Sequence, residues 1–485
     1  MAQAPASRGE AKLSNVTTRL DRLPWGRFHL TVTMALGVVW LLDAFEVNII
    51  GSVITFIDTE FHVNAFQGSL IISVWLAGIM FGAFFFGYLA DRFGRRRLFM
   101  LTLALYASCT VLAALSPNYY MFIVFRFLTA IGVGAEYSAV NTAISEFIPA
   151  RRRGMTNAGV MSFWNIGALL SAVISLVFIN ILPNNIGWRV AFAFGAIAAV
   201  MIVWLRRSVP ESPRWLLMRG RAAEAEQIVT EIEEWVACEK RIAVADLPAA
   251  EVAPLAQYAP QSFFAQIGEL FRRYPGRLAL GCALDLSEAF GYYGIFAIIS
   301  LVVLPAVHIP ATQTPLFYIA GDIGAVFGGL LVIFLLDRMG RKISVPIFYV
   351  LAAISAVLVG PATAFGASAV LAAFVLANFF GTSAWISAYP TFTEIFPTHL
   401  RATGVGFSIA VGRIGAAFAS PLLVFVALRT PLGISGAFVV MGALWLVGAV
   451  AMVPWYFRGV EGAATPLEKM TASPAIHSTA EARKA

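Results

Sequence analysis

The chain has 485 residues, 59% of them hydrophobic and 13% charged, with a mean hydropathy of +0.79. Soluble globular domains carry about 25% charged residues, so this composition argues against a water-soluble fold. The net charge of +7 is accounted for by contact with anionic lipid headgroups, and nucleic-acid binding needs no part in the reading.

Crossing about 30 Å of hydrocarbon takes roughly 18 or more apolar residues. Twelve such windows follow one another, near residues 30-56, 67-90, 97-115, 119-142, 156-181, 188-206, 277-303, 313-336, 344-364, 368-391, 402-426 and 434-457. They are apolar on successive residues, where barrel strands would alternate, so the expected fold is an all-α membrane protein. The first window follows a polar leader and lacks a short apolar core with a small-residue cleavage site, so no cleavable signal is expected. All Lys and Arg except Arg126, Arg189, Arg413 and Arg429 fall on one side of the predicted topology. The positive-inside rule then places both termini in the cytoplasm of a multi-pass inner-membrane protein.

In chain order the expected units are a cytoplasmic leader (1-28), a six-helix half (29-206), a cytoplasmic central loop (207-276), a second six-helix half (277-458) and a cytoplasmic tail (459-485). Met1 to Thr18 and Gly462 to Ala485 are rich in Ala, Ser, Thr and charge and are expected to be disordered. In the loop, Ile228, Ile232 and Trp235 recur at helical spacing among Glu231, Glu233 and Glu234, which predicts an amphipathic helix. A second such helix carries Phe263, Phe264, Ile267, Leu270 and Phe271 on one face, ending in Arg272 and Arg273; it suits either the inner membrane interface or the bundle surface.

The halves repeat each other. Gly87 leads into Asp91-Arg92-Phe93-Gly94-Arg95-Arg96 after the second window, and Asp337-Arg338-Met339-Gly340-Arg341-Lys342 returns after the eighth. Glu146-Phe147-Ile148-Pro149 with Arg151, Arg152 and Gly154 after the fourth returns as Glu394-Ile395-Phe396-Pro397 with Arg401 and Gly404 after the tenth. In these loops Gly87 allows close backbone approach, Asp91 can meet a helix N-terminus or an arginine, and the arginines sit among lipid phosphates. The expected role of Gly87, Asp91, Arg92, Gly94, Arg95, Glu146, Arg152, Asp337, Arg338, Arg341, Glu394 and Arg401 is conformational gating; a plain positive-inside anchor is the simpler alternative.

Each ionisable residue at the centre of a span costs about 2.5 to 3.5 kcal/mol on insertion scales and usually faces a pathway. Eight occur here: Asp43, Glu46, Arg126, Glu136, Asp285, Glu288, Asp322 and Arg413. Helical rise puts Asp43, Glu46, Arg126, Glu288, Asp322 and Arg413 in one midplane layer fed by both halves. Carboxylates outnumber arginines, which points to compensation by protons, with Asp43, Glu46, Glu136, Glu288 and Asp322 as candidates for proton coupling. The planar fork of Arg126 or Arg413 suits an anionic substrate, unless each pairs permanently with an acid of the first or seventh helix. Trp164, Tyr292, Tyr293 and Trp385, with Phe163, can stack on a planar ligand or serve as packing. Gly132-Val133-Gly134, inside an apolar window, reads as close helix packing. The three cysteines and five histidines show no ligand spacing, so no metal and no cofactor is expected.

The duplicated loops, with Pro210-Glu211-Ser212-Pro213-Arg214-Trp215-Leu216, resemble the major facilitator superfamily over about residues 25 to 458. That resemblance implies two six-helix halves, a midplane substrate site and alternating access. The loops are similar to those of sugar porters, but Cys282, Ala283 and Glu288 stand where that branch carries Gln, Gln and Asn. Leu42-Asp43-Ala44-Phe45-Glu46, Arg126, Glu136, Ser162-Phe163-Trp164, Tyr292-Tyr293-Gly294, Trp385 and Gly412-Arg413-Ile414-Gly415 are more similar to the metabolite and aromatic-acid proton symporters, including niacin-type carriers. The implied activity is symport of a small aromatic or monocarboxylic acid with a proton. A monomer is expected, and the sequence offers no nucleophile-base pair, metal cluster or phosphate loop that would point to an enzyme. The alternatives are a sugar or polyol carrier and a non-transporting membrane sensor.

Overall fold

The computed structural model of the chain describes residues 12–93, 95–183, 185–195, 210–218, 220–250, 253–255, 263–397 and 400–459. A strand β1 (Lys12–Ser14) and a short helix α1 (Val16–Asp21) precede the first half. That half holds α2 (Arg27–Phe61), α3 (Ala65–Phe93), α4 (Arg95–Ala114), α5 (Tyr119–Phe147), α6 (Arg153–Ile181) and α7, described over 185–195. The segment between the halves contributes α8 (Pro213–Met218), α9 (Ala222–Lys240), β2 (Ala253–Leu255) and α10 (Phe263–Arg273). The second half holds α11 (Pro275–Ile298), its extension α12 (Leu304–Ala306), α13 (Thr314–Met339), α14 (Arg341–Ala362), α15 (Ala367–Ile395), α16 (Arg401–Arg429) and α17 (Gly433–Arg458).

The fold is the expected all-α membrane fold of twelve spanning helices in two halves. Hydrocarbon offers backbone groups no partners, so each long apolar segment satisfies its own N–H and C=O groups as a helix. Its ends are set by local chemistry. Asn118 accepts a hydrogen bond from the Met121 N–H at 3.0 Å and caps α5, while His62 closes α2 in the left-handed region at φ 55°. α2 has 35 residues and is about 50 Å long, so it projects well beyond the hydrocarbon. α11 passes through one π turn, Ile299–Val303, into α12. Pro305 brings no N–H to that turn, and its ring excludes the carbonyl one turn back, which loosens the local helix.

Small residues bring helices together. A Cβ on Gly132 would lie 2.8 Å from the Thr102 carbonyl oxygen, so α5 packs directly on the α4 backbone, as the sequence suggested. Across the halves α3 packs on α16 and α6 on α13, and the Ser73 hydroxyl donates to the Ala417 carbonyl at 2.6 Å.

The leader departs from the sequence reading. Residues from Lys12 onward are structured: β1 pairs antiparallel with β2, and Val16, Leu20 and Leu23 are buried. Arg19 and Arg22 both reach Glu233 of α9 at 2.6 Å, and the Arg22 Nη1 donates to the Pro248 carbonyl at 2.6 Å. Composition alone could not show this, because the order comes from partners more than two hundred residues away. The buried face of α9 is also rotated from the expected one: Ala225, Val229, Ile232, Glu233 and Val236 are buried, while Trp235 stays half-exposed with its ring centre 5.7 Å from that of Phe28. Glu233 can turn inward because two arginines meet it there. On α10, Leu270 is buried, Thr403 donates to Gln266 and Phe271 packs 5.6 Å from Phe407, so this helix sits on the foot of α16 with Phe264 facing out. Gly462 to Ala485 lie outside the described residues.

Candidate functional site

In the first half, α2 brings Asp43 and Glu46 inward, and α5 brings Arg126. Arg126 and Glu46 are 1% and 0% exposed; the Arg126 Nη1 donates to the Glu46 Oε1 and its Nη2 lies 3.5 Å from the Glu46 carbonyl oxygen. The guanidinium carbon also stands 5.4 Å from the Trp75 ring centre and 5.2 Å from that of Phe192. Charge and ring quadrupoles therefore hold the same cation from several sides. Asp43, three residues earlier, is buried on the same helix.

The second half repeats the motif with looser geometry. The Arg413 Nη1 of α16 lies 3.6 Å from the Asp285 Oδ2 of α11, and its guanidinium carbon 5.3 Å from the Tyr293 ring. A Cβ on Gly412 would overlap the Asp285 carboxylate, so only glycine lets the two helices come this close. Glu288, one turn along α11, is buried within electrostatic reach of Asp285, Arg413, Tyr349 and Tyr389. Two acids thus share one arginine.

Between these pairs lies an aromatic cluster. The Trp164 Nε1 of α6 donates to the Tyr292 hydroxyl of α11 at 2.6 Å, and that hydroxyl donates to the Asn48 Oδ1 of α2 at 3.1 Å. Trp164 stands 6.2 Å from Trp385 and 5.6 Å from Trp40, while Tyr389 packs 5.5 Å from Trp385 and 6.4 Å from Trp40. Helices of both halves therefore meet on one set of rings. A neighbouring cavity of about 10 Å³, on the scale of one water, is lined by Val47, Asn48, Ile50, Ile72, Trp75, Arg126, Tyr293 and Phe296. Asp322 is buried on α13, close enough to Tyr292 and Tyr318 to act on both electrostatically.

Of the residues singled out from the sequence, Arg126, Glu46, Arg413, Glu288, Trp164, Tyr292, Tyr293, Trp385 and Asp322 gather at the meeting of the two halves. In this structure Arg126 is engaged by Glu46 of the first spanning helix and Arg413 by Asp285 of the seventh. Asp285 was counted among the intramembrane acids without a role, and it is the partner of Arg413. Asn48, Trp40 and Tyr389 were missed. Asn48 could have been found as a polar residue amid an apolar run two positions past Glu46.

Among the loop residues, Arg341 reaches Glu394 at 3.4 Å, tying the start of α14 to the end of α15. The Arg401 Nη2 lies 3.5 Å from the Phe396 carbonyl oxygen, Arg152 stands 5.4 Å from the Trp25 ring, and Arg338 is exposed. Gly87, Asp91, Arg92, Gly94, Arg95, Glu136, Glu146 and Asp337 lie outside the residues whose side chains are described.

Residues 30–473 match the family model described as "Sugar (and other) transporter". The niacin transporter NiaP of Acinetobacter baylyi is 32% identical over 412 residues, covering 84% of this chain and 90% of that protein. The inner membrane metabolite transport protein YgcS of Escherichia coli is 28% identical over 439 residues, covering 90% and 93%. A solved structure of the xylose transporter XylE from E. coli, in a partially occluded inward open conformation, superposes with a TM-score of 0.70 at 20% identity, over 89% of this chain and 98% of that one. The chain belongs to the sugar (and other) transporter family and is a multi-span membrane transporter with the major facilitator fold.

Proposed function

We propose that the protein is a monomeric, proton-coupled symporter of a small organic anion, an aromatic or monocarboxylic acid. It works by alternating access in the inner membrane, with both termini cytoplasmic. The observation that carries this reading is the pair of buried arginine–carboxylate contacts, one in each half, flanking a shared aromatic cluster. A buried arginine holds whichever anion is available, because leaving it unpaired in low dielectric is costly. When a proton neutralises Glu46 or Asp285, the arginine loses its partner and can take the substrate carboxylate with both prongs of its fork. Return of the proton to solvent restores the internal pair and releases the substrate. Trp164, Tyr292, Tyr293 and Trp385 supply faces for an aromatic ring, while Arg341 with Glu394, Arg401 and Arg152 belong to cytoplasmic loops that must rearrange for the inner side to open. Asp43, Glu136, Glu288 and Asp322 remain further candidates to carry the proton. The relatives support the substrate class, since they include niacin and metabolite transporters.

The test is uptake of labelled benzoate into reconstituted vesicles. An inward proton gradient should drive accumulation, and Glu46→Gln should leave exchange that ignores the gradient. Uptake by the wild-type protein indifferent to the gradient would remove the coupling. The second reading, a sugar or polyol carrier, draws on the Trp164, Tyr292 and Asn48 hydrogen-bond chain, which offers groups that sugar hydroxyls could replace. Saturable sugar uptake abolished by Trp385→Ala, with benzoate inert, would favour it.

A further inference from the structure

The charge inventory of the site contains a remainder. Arg126 is engaged by Glu46 and Arg413 by Asp285, yet Asp322, 3% exposed, makes neither a hydrogen bond nor an ion pair with any described residue. Its orientation follows from its neighbours on α13. Tyr318, one turn earlier, stacks on Phe296 of α11, and its hydroxyl oxygen would be 3.1 Å from a Cβ on Gly51 of α2. Gly329, two turns later, would place a Cβ 3.1 Å from the Asn165 Nδ2 and 3.2 Å from the Ser162 Oγ of α6. At about 100° per residue, positions 318, 322 and 329 fall in one stripe roughly 40° wide. That stripe faces α2, α6 and α11 across the meeting of the halves, and Asp322 acts electrostatically on Tyr292, the phenol held between Trp164 and Asn48.

A carboxylate without a partner beside a cluster of indole and phenol rings is the chemistry that receives an organic cation. Ring faces attract a cationic nitrogen, and the acid supplies its counter-charge where water is excluded. In a site that receives only an anion, such an acid repels the ligand whenever it is ionised, whereas a cationic nitrogen is attracted to it.

We propose that Asp322 is a specificity-determining residue whose carboxylate receives a cationic nitrogen of the substrate at the edge of the aromatic cluster. The favoured substrates are then zwitterions, small aromatic acids that also carry a protonated amine or a fixed positive charge. The acid half rests on the function proposed above; the cationic half is carried by Asp322 alone.

The test is calorimetric titration of the purified full-length protein at neutral pH with 3- and 4-(aminomethyl)benzoate and with 3- and 4-ethylbenzoate, which match them in shape and lack the charge. One aminomethyl isomer should bind at least about tenfold more tightly than its ethyl counterpart. Asp322→Asn should bring that ratio near one, and Asp322→Glu should keep a preference for the amine. Equal or weaker binding of both amines by the wild-type protein overturns the proposal without needing any variant, as does a ratio that survives Asp322→Asn. Binding of ethylbenzoates with no preference for the amine sinks the role of Asp322 and leaves the organic-acid reading standing. If neither series binds, the organic-acid reading falls and this proposal falls with it.

Discussion

The two halves solve one problem with different tolerances. In the first, Arg126 is hydrogen-bonded to Glu46 and bracketed by Trp75 and Phe192, one acid for one base. In the second, Arg413 is 3.6 Å from Asp285 with Glu288 close by, and the Tyr293 ring flanks it. The first pair is joined by a direct hydrogen bond, whereas in the second one arginine is shared by two acids at longer range. The chain repeats its loop motifs closely but not its charged interior, so the halves are alike in sequence at the loops and unequal as chemistry.

That contrast can be broken or sharpened by substitution. The largest effect belongs to Arg126→Ala, which strands Glu46 in the bundle and should cost about 3–5 kcal/mol, read as a lowered unfolding temperature in detergent. The double change Glu46→Gln with Arg126→Gln should recover part of that stability and none of the proton-driven uptake. If the single and double variants unfold alike, the pair is not a unit. Asp285→Asn should cost less, about 2 kcal/mol, since Glu288 remains beside Arg413. A loss as large as that of Arg126→Ala would erase the difference drawn between the halves.

Tyr292→Phe removes one hydroxyl that both accepts from Trp164 and donates to Asn48, and should cost about 1–2 kcal/mol while raising the substrate concentration needed for half-maximal uptake. Unchanged uptake would place the link outside the transport path. The smallest global effect is expected at Glu233, outside the membrane. Burial alone would push its carboxyl up, but the hydrogen bonds and charges of Arg19 and Arg22 outweigh that and hold it below the usual glutamate range. A carboxyl with a depressed folded value contributes stability above its unfolded value and loses it as pH falls through the folded one. The leader should therefore resist protease at neutral and mildly acidic pH and become cleavable only below the usual glutamate range. Glu233→Gln should make it cleavable at neutral pH, with unfolding of the bundle little changed.

Much of this was readable in advance because a bilayer imposes a coarse and strict pattern. Apolar runs of spanning length can be little else than helices, and loops such as Asp91 to Arg96 and Asp337 to Lys342 reveal a duplication without any contact being known. Partnerships were not readable. Arg126 and Glu46 are separated by 80 residues, and depth plus helical angle constrain a layer without choosing among its acids. Asp285 and Glu288 sit one turn apart, and only the α11–α16 contact at Gly412 decides which of them meets Arg413. The leader was misjudged for a related reason: its few apolar residues, Val16, Leu20 and Leu23, gain order only against α9 and its surroundings.

The stitching of the leader to the central segment also bears on how such proteins can be recombined. Lys12–Ser14, Arg19 and Arg22 belong to one folding unit with Glu233, Pro248 and Ala253–Leu255. A hybrid that takes its first half from one relative and its central segment from another would separate these partners. It would leave Glu233 facing a foreign leader, even though every spanning helix was intact. Exchange of halves between family members should therefore place the crossover after Leu255, so that the module formed by the leader and the central segment travels whole with the helices that precede it.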